Sequence, residues 1–320
     1  MGYPLRWFLP GMVFEVTTRT IHERYLLRPS PLSRDLIVGV LARAQARFPT
    51  VNVHAFVFLS NHYHLLVSAS DGQQFAAFLG YINGNVARKL GRLHRWRDRL
   101  WSRRARPIPI LEPEAQVARL RYVLSNGVKE GLVKSPRHWP GASATPALLG
   151  SMSLRGRWVD QDALTRARRR DASISAAAFT TFPVLKLAPL PVFAGLSASA
   201  LRKAHAALVK EIEVEHAARE VLGASRVQQQ DPHDAPDASS ERHQREAERF
   251  APLCHTLDAH LRAGFRSAFR AFTAAFRACS RGPEPHLDDY PFGCFPRPFG
   301  FRIAPLSAFA DLLAGLSRSG

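Results

Sequence analysis

Two histidines one residue apart, His62 and His64, begin a run that continues Leu65-Leu66-Val67. If a strand starts there, its two-residue period sends both imidazoles to one face and Tyr63 to the other. Neutral imidazole is a common ligand for transition-metal ions, and two on one strand make half of a site that still needs an oxygen donor. The same pair is also what a strand start looks like when one histidine is hydrogen-bonded and the other exposed. Further along, Tyr122 and Asn126 are spaced i, i+4, so on a helix a phenol and an amide oxygen share a face. A tyrosine in a core and an Asn-Gly helix end give the same letters. A phenol with a pKa near 10 is phenolate in only about one molecule in a thousand at pH 7, so a nucleophilic tyrosine needs activation.

The elements around these residues follow from their periodicities. Residues 12 to 18 are β-prone, and Ser33 to Phe48 has apolar residues at helical spacing. Val51 to Leu59 and Tyr63 to Ser68 are two β-rich runs divided by Ser60-Asn61-His62, which predicts an antiparallel hairpin. A helix over 73–93, a basic stretch ending in Pro107-Ile108-Pro109-Ile110, and a helix over 114–130 complete the order β-α-β-β-α-β-α. Such an order predicts an α+β sandwich, an antiparallel sheet with helices on one face. The expected divisions are a catalytic domain over 1–150, a helical accessory region over 151–222, a flexible linker over 223–245, and a helix (246–279) plus Pro/Phe-rich tail over 246–320. The linker reading rests on the polar composition around Gln228-Gln229-Gln230-Asp231-Pro232.

Charge points to the partner. Residues 1–150 hold 21 Lys and Arg against 8 Asp and Glu, so they carry +13 of the net +18. A field of that sign attracts a polyanion by counterion release, and nucleic acid is the common one. The densest part holds Arg88, Lys89, Arg92, Arg95 and Arg97, then Arg103 and Arg104. Trp96 and Trp101 lie among them, and arginines on phosphates with aromatic platforms for bases are the means of single-strand binding. Core tryptophans beside a solvated basic helix end read the same way. Cys254, Cys279 and Cys294 fit neither a disulfide framework nor a zinc knuckle. No apolar run reaches the roughly 18 residues of a membrane span, and the first residues lack a secretory pattern, so a cytoplasmic, nucleoid-associated protein without membrane contact is expected.

Val53-His54-Ala55-Phe56-Val57-Phe58-Leu59-Ser60-Asn61-His62-Tyr63-His64-Leu65-Leu66-Val67 and Tyr122-Val123-Leu124-Ser125-Asn126-Gly127-Val128-Lys129-Glu130-Gly131 resemble the single-tyrosine HUH transposases, in particular the bacterial REP-associated tyrosine transposases. Phe14-Glu15-Val16-Thr17-Thr18-Arg19 looks like the family's first strand, and Lys134-Ser135-Pro136-Arg137-His138-Trp139-Pro140 like the segment after its catalytic helix. The resemblance covers residues 10–150. It implies a ferredoxin-like or RRM-like sheet, a divalent metal (Mg²⁺ or Mn²⁺) on His62 and His64, Asn126 as third ligand, and Tyr122 as nucleophile. The implied product is a 5′-phosphotyrosine with a free 3′-OH, formed on single-stranded or hairpin DNA without a nucleotide cofactor. The implied assembly is a monomer or a homodimer. Gly127 departs from the family, which usually has proline there, and the departure falls at the helix end beside Asn126. Among other tyrosines, Tyr63 should face away from the histidines, and Tyr25 and Tyr81 have no ligand partner at useful spacing. A site built on neutral imidazoles should lose activity as the pH falls through about 6.5. Two other readings stay open: an inactive nucleic-acid-binding module of the same fold, and a metal-dependent hydrolase that releases free ends.

Overall fold

The computed structural model describes residues 5–237, 253–305 and 307–317. Four strands, β1 (Val13–Arg19), β2 (Val51–Phe58), β3 (His62–Ala69) and β4 (Arg106–Ile110), form one sheet in the order β2-β3-β1-β4. All neighbours are antiparallel. Helix α1 (Pro31–Arg47) joins β1 to β2, and α2 (Gly72–Leu93) joins β3 to β4, which gives the α+β, ferredoxin-like βαββαβ topology. Both helices start where the chain supplies a cap. Ser30 and Ser33 form a reciprocal capping box with Pro31 in the first turn, and Asp71 accepts from the Gln74 N–H at 2.7 Å.

Strand alternation divides the sheet into two faces. Phe14, Val16, Tyr63 and Leu65 point toward α1 and α2, where Phe14 stacks on Phe75 with ring centroids 5.1 Å apart. The opposite face carries Glu15, Thr17, His62 and His64, and is crossed by α3 (Pro113–Lys129), which packs on β2 and β3. Both faces are covered, so β3 reads as a nearly continuous buried strand.

Later segments wrap this core. After α4 (Thr145–Leu148) come two short ribbons, β5 (Leu154–Arg155) paired with β8 (Val184–Leu185) and β6 (Trp158–Val159) with β7 (Thr180–Thr181), with α5 (Gln161–Arg168) between them. They cover the outside of α1 through a backbone contact. A Cβ on Gly39 would lie 2.1 Å from Arg157 O, and one on Gly156 would lie 1.9 Å from Gly39 N, so only glycine fits at either position. Helix α6 (Ala198–Glu215) buries Leu208, Val209 and Ile212 and pairs Glu215 and Glu211 with Arg121 of α3. It ends at Glu215, and the next residues return to the end of α3, with Leu222 N–H donating to Gly131 O.

The flexible-linker reading of 223–245 does not hold over 223–237. Helix α7 (Ala224–Gln229) buries Val227 fully, Gln230 bonds to Ser60 and Arg28, and His233 bonds to His94 O and Arg24. Two of the polar side chains in this segment, Gln230 and His233, are docking contacts. Residues 238–245 of that reading lie outside the described residues, as do 246–252 of the predicted terminal helix. That helix, α8 (Ala259–Arg281), starts at an Asp258 cap, and the tail after it holds α9 (Ala308–Ser317). Just before α8, His255 lies alongside Ile110 at the edge of β4: its N–H donates to Pro109 O and its carbonyl accepts from Leu111 N–H. No described helix is long and apolar enough to cross a membrane.

Candidate active site

The hairpin turn between β2 and β3 fixes where the two histidines start. Leu59 N–H donates to His62 O at 2.8 Å, leaving Ser60-Asn61 as the loop, and Thr20 N–H holds the Asn61 carbonyl at 2.8 Å. His62 and His64 then share a face, with ring centroids 5.2 Å apart. His62 Nδ1 lies 2.7 Å from Asn61 Oδ1, and His64 Nδ1 lies 2.7 Å from Glu15 Oε1. An oxygen acceptor at Nδ1 places the ring proton there and the lone pair on Nε2. Both imidazoles are therefore set in the tautomer that donates a lone pair from Nε2 to an electrophile, the form a divalent ion requires.

Tyr122 comes to the same place from α3. Its half-buried ring stands edge-on to His64, with centroids 5.3 Å apart at 81°. Two cations flank it, Arg119 Cζ 3.8 Å and Lys129 Nζ 4.6 Å from the ring centroid. Asn126, one turn on, is buried, and its Nδ2 donates to the Tyr122 carbonyl at 2.9 Å, leaving Oδ1 as the acceptor of that amide. Gly127 does not end the helix. The helix runs to Lys129 and closes at Gly131 with φ +68°, while a Cβ on Gly127 would come 3.0 Å from the Trp139 ring. Glycine is what lets Trp139 pack against the helix.

The other tyrosines weighed as nucleophiles, Tyr25, Tyr63 and Tyr81, are placed elsewhere. Tyr63 is buried on the α2 side, stacked on Phe58 and bonded to Asn83, and burial pushes its phenol up. Burial also raises Tyr25, whose neighbours Asp234 and Glu23 add to the effect. Tyr81 stacks on Trp158.

Three further residues complete the site, none of them picked out from the sequence. Glu15 is buried under His64, Arg119 and His255: Arg119 Nη2 lies 2.7 Å from its Oε2, and His255 Nε2 lies 2.6 Å from the same oxygen. Burial alone would raise the Glu15 carboxyl, yet hydrogen bonds from His255 and His64 and the charge of Arg119 hold it well below the ordinary carboxylate value. Burial lowers His255, against the pull of Glu15. Glu15 had a signal, a carboxylate inside Val13-Phe14-Glu15-Val16, and so had Arg119, three residues before Tyr122. His255 had none. Among the described residues, no group of three His, Cys, Asp or Glu side chains is arranged to hold a metal ion.

The basic stretch divides in two. Arg88, Arg92, Arg95 and Arg97 are exposed and line a groove of about 540 Å³ beside Trp96. Arg103 and Arg104, also exposed, run along the end of β1, where Thr18 Oγ1 donates to Arg103 O and Arg19 pairs with His62 across the sheet. Lys89 is turned inward, 4.0 Å over the Trp158 ring and bonded to Val159 O, and burial with Arg92 and Arg88 nearby lowers its pKa to about 8. The tryptophans are not open platforms. Trp101 donates to Asn83 O at 2.9 Å and packs edge-on to Tyr63, and Trp96 donates to Arg99 O with Arg24 and His233 against its ring.

No family model matches the chain, and no curated protein matches it. Among solved structures, it is similar to a REP-associated tyrosine transposase bound to a REP hairpin. That match has 19% identity and a TM-score of 0.40, over 47% of this chain and 86% of the other. It is also similar to a Deinococcus radiodurans R1 protein described as a transposase, with 16% identity and a TM-score of 0.27, over 38% of this chain and 92% of the other.

Proposed function

We propose that the protein cuts and rejoins single-stranded DNA by attack of the Tyr122 oxygen on a scissile phosphate. The observation that carries this reading is the Tyr122 ring lying against His64 between Arg119 and Lys129. A phosphate seated there would meet two cations that counter the charge gathering on its oxygens. As the phenol oxygen bonds to phosphorus, the bond to the 3′ oxygen breaks; that oxygen leaves with the electron pair and takes up a proton, while the phenol proton passes to solvent. The product is a 5′-phosphotyrosine and a free 3′-OH. One phosphoester replaces another, so the reverse attack reseals the strand without ATP.

His62 and His64, both with Nδ1 held by an oxygen, are the residues that would hold a divalent ion, Mg²⁺ or Mn²⁺, with Asn126 Oδ1 as an amide donor. Bound there, it would supply Lewis acidity toward the phosphate oxygens. Glu15 keeps His64 in the donor tautomer, and Arg119 ties Glu15 to the helix that bears the nucleophile. The substrate proposed is hairpin or palindromic DNA with a single-stranded flank, in line with the family that the motifs resemble.

The test is a labelled single-stranded hairpin incubated with the protein and Mg²⁺ or Mn²⁺, then run on a denaturing gel. A protein–DNA adduct that disappears in Tyr122→Phe is the expected result. Tight, salt-sensitive binding with no adduct in the native chain would make it a binding module, and cleavage that survives Tyr122→Phe would make it a hydrolase.

A further inference from the structure

Helix α8 lies outside the stretch on which the proposed chemistry rests. Its apolar face is Phe265, Phe269, Phe272 and Phe276, and that face is covered: Trp7 stacks on Phe272 at 5.0 Å and lies 5.6 Å from Phe265, while Tyr290 meets Phe276 at 5.3 Å. Beside it run Arg262, Arg266, Arg270, Arg277 and Arg281, all exposed. At 3.6 residues per turn these five fall within an arc of about 100°, in a band about 28 Å long. Among the described residues, no carboxylate lies within ion-pair reach of Arg266, Arg270, Arg277 or Arg281.

The row ends at the site. Arg262 and Arg266 line an open cavity of about 350 Å³ together with His255 and Thr256, and Arg262 Nη2 donates to Thr256 O at 2.8 Å. His255 reaches from that wall to within 2.6 Å of Glu15, the carboxylate that holds His64. The arginine row and the histidine pair are thus joined through two side chains.

We infer that α8 is a rail for the single-stranded DNA flanking the scissile phosphate, its arginines tracking successive phosphates toward the cavity beside His255. This rests on the proposed function for its destination, though not for its binding energy. Cations four, four, seven and four residues apart along one side of a helix suit a polyanion of repeating charge, and binding would come from counterion release. No aromatic ring shares the arginine arc, so the contacts would go to the backbone and carry no base preference. An Arg/Phe amphipathic helix also has the composition of a membrane-surface helix, but such a helix needs its apolar face available, and here Trp7 and Tyr290 occupy it.

The experiment uses the full chain bearing Tyr122→Phe, so that binding is read without cleavage. Affinity is measured over a salt series for a hairpin with a single-stranded tail and for the same hairpin without it. With Arg266→Gln, Arg270→Gln and Arg277→Gln combined, tailed-hairpin affinity should fall about tenfold at low salt. The slope of log K against log salt should shrink by about 2, or roughly 0.7 for each lost phosphate contact. The tailless hairpin should be unaffected. An unchanged slope, or equal losses on both hairpins, would overturn the rail. So would phosphatidylserine vesicles that bind the parent protein and lose binding in the triple variant while the tailed hairpin does not. If the triple variant unfolds early, Arg270→Glu alone gives the same readout on one exposed position. A native chain that forms no adduct, with the tail-dependent loss intact, would sink the catalytic reading and leave the rail standing.

Discussion

The Glu15 carboxylate lies 2.7 Å from His64 Nδ1, across a strand pair and 49 residues away in sequence. Its buried position is tolerable only because Arg119 and His255 also close on it. Glu15→Ala leaves a half-buried guanidinium and two imidazoles without their acceptor, and removing one partner of such a cluster costs about 3 kcal/mol or more. Urea unfolding should show that loss. On the proposed reading, with His64 holding a metal, strand cleavage should fall about 10- to 100-fold, the usual consequence of losing the group that orients a histidine ligand.

Acid should unfold the chain early, and the sign follows from its buried histidines. Burial lowers His54, His205 and His255, and takes His94, with Arg28 and His233 nearby, to about 4. Below pH 6.5 an unfolded histidine takes a proton that the folded one refuses. Stability is therefore complete above 6.5 and falls as the pH drops toward each folded value, by about 1.4 kcal/mol per pH unit for each such histidine. The urea midpoint should decline between pH 6.5 and 4.5, and His94→Gln should remove about one proton from that slope. A slope unchanged in His94→Gln would mean that His94 is not among the titrating groups.

What could be read from the sequence was what repeats locally. The alternation His62-Tyr63-His64 and the i, i+4 spacing of Tyr122 and Asn126 depend on periods of two and 3.6 alone, and both pairs lie as those periods require. That strand and helix meet at His64 and Tyr122 is a tertiary fact that the resemblance supplied and no spacing could. His255 was out of reach because its position depends on a bridge to Ile110 at the sheet edge. The segment 223–237 was misread because Gln230 and His233 have the same composition whether they face water or dock on Ser60 and His94. The same ambiguity hid the role of Trp101, since an aromatic in a basic stretch looks identical as platform or as core.

Trp101 and its neighbouring arginines should separate cleanly. Trp101 is half-buried against Tyr63 with its N–H on Asn83 O, so Trp101→Ala should cost about 2 kcal/mol through lost packing. Arg103→Gln with Arg104→Gln should leave the melting temperature in place and weaken oligonucleotide binding, reducing the salt slope by about 0.7 per contact. Calorimetry and a binding isotherm on both variants decide it; a stable Trp101→Ala with selectively lost binding would return the ring to the interface.

Gly39 tests the wrap around α1. A methyl there would lie 2.1 Å from Arg157 O, a contact between two backbones that no side chain can relieve. Gly39→Ala should lower stability by at least 1–3 kcal/mol, the usual cost of overpacking, with Gly156→Ala behaving alike. Thermal unfolding of both would show whether residues 154–185 are held on the core through this contact; a melting temperature within a degree or so of the parent would deny it.

His255 ties the C-terminal part of the chain to the candidate chemistry, and its replacement shows how. Its Nε2 is buried 2.6 Å from Glu15, with no other partner. His255→Ala leaves Glu15 to Arg119 and His64, at a stability cost of about 1–2 kcal/mol for a lost buried contact. If His255 acts by holding Glu15 in line with His64, cleavage should drop about tenfold, and His255→Gln, which keeps a donor at similar reach, should recover most of it. Equal losses in the two variants would mean that the ring's volume matters and its N–H does not. The Glu15 carboxylate would then be oriented by Arg119 and His64, without the His255 N–H.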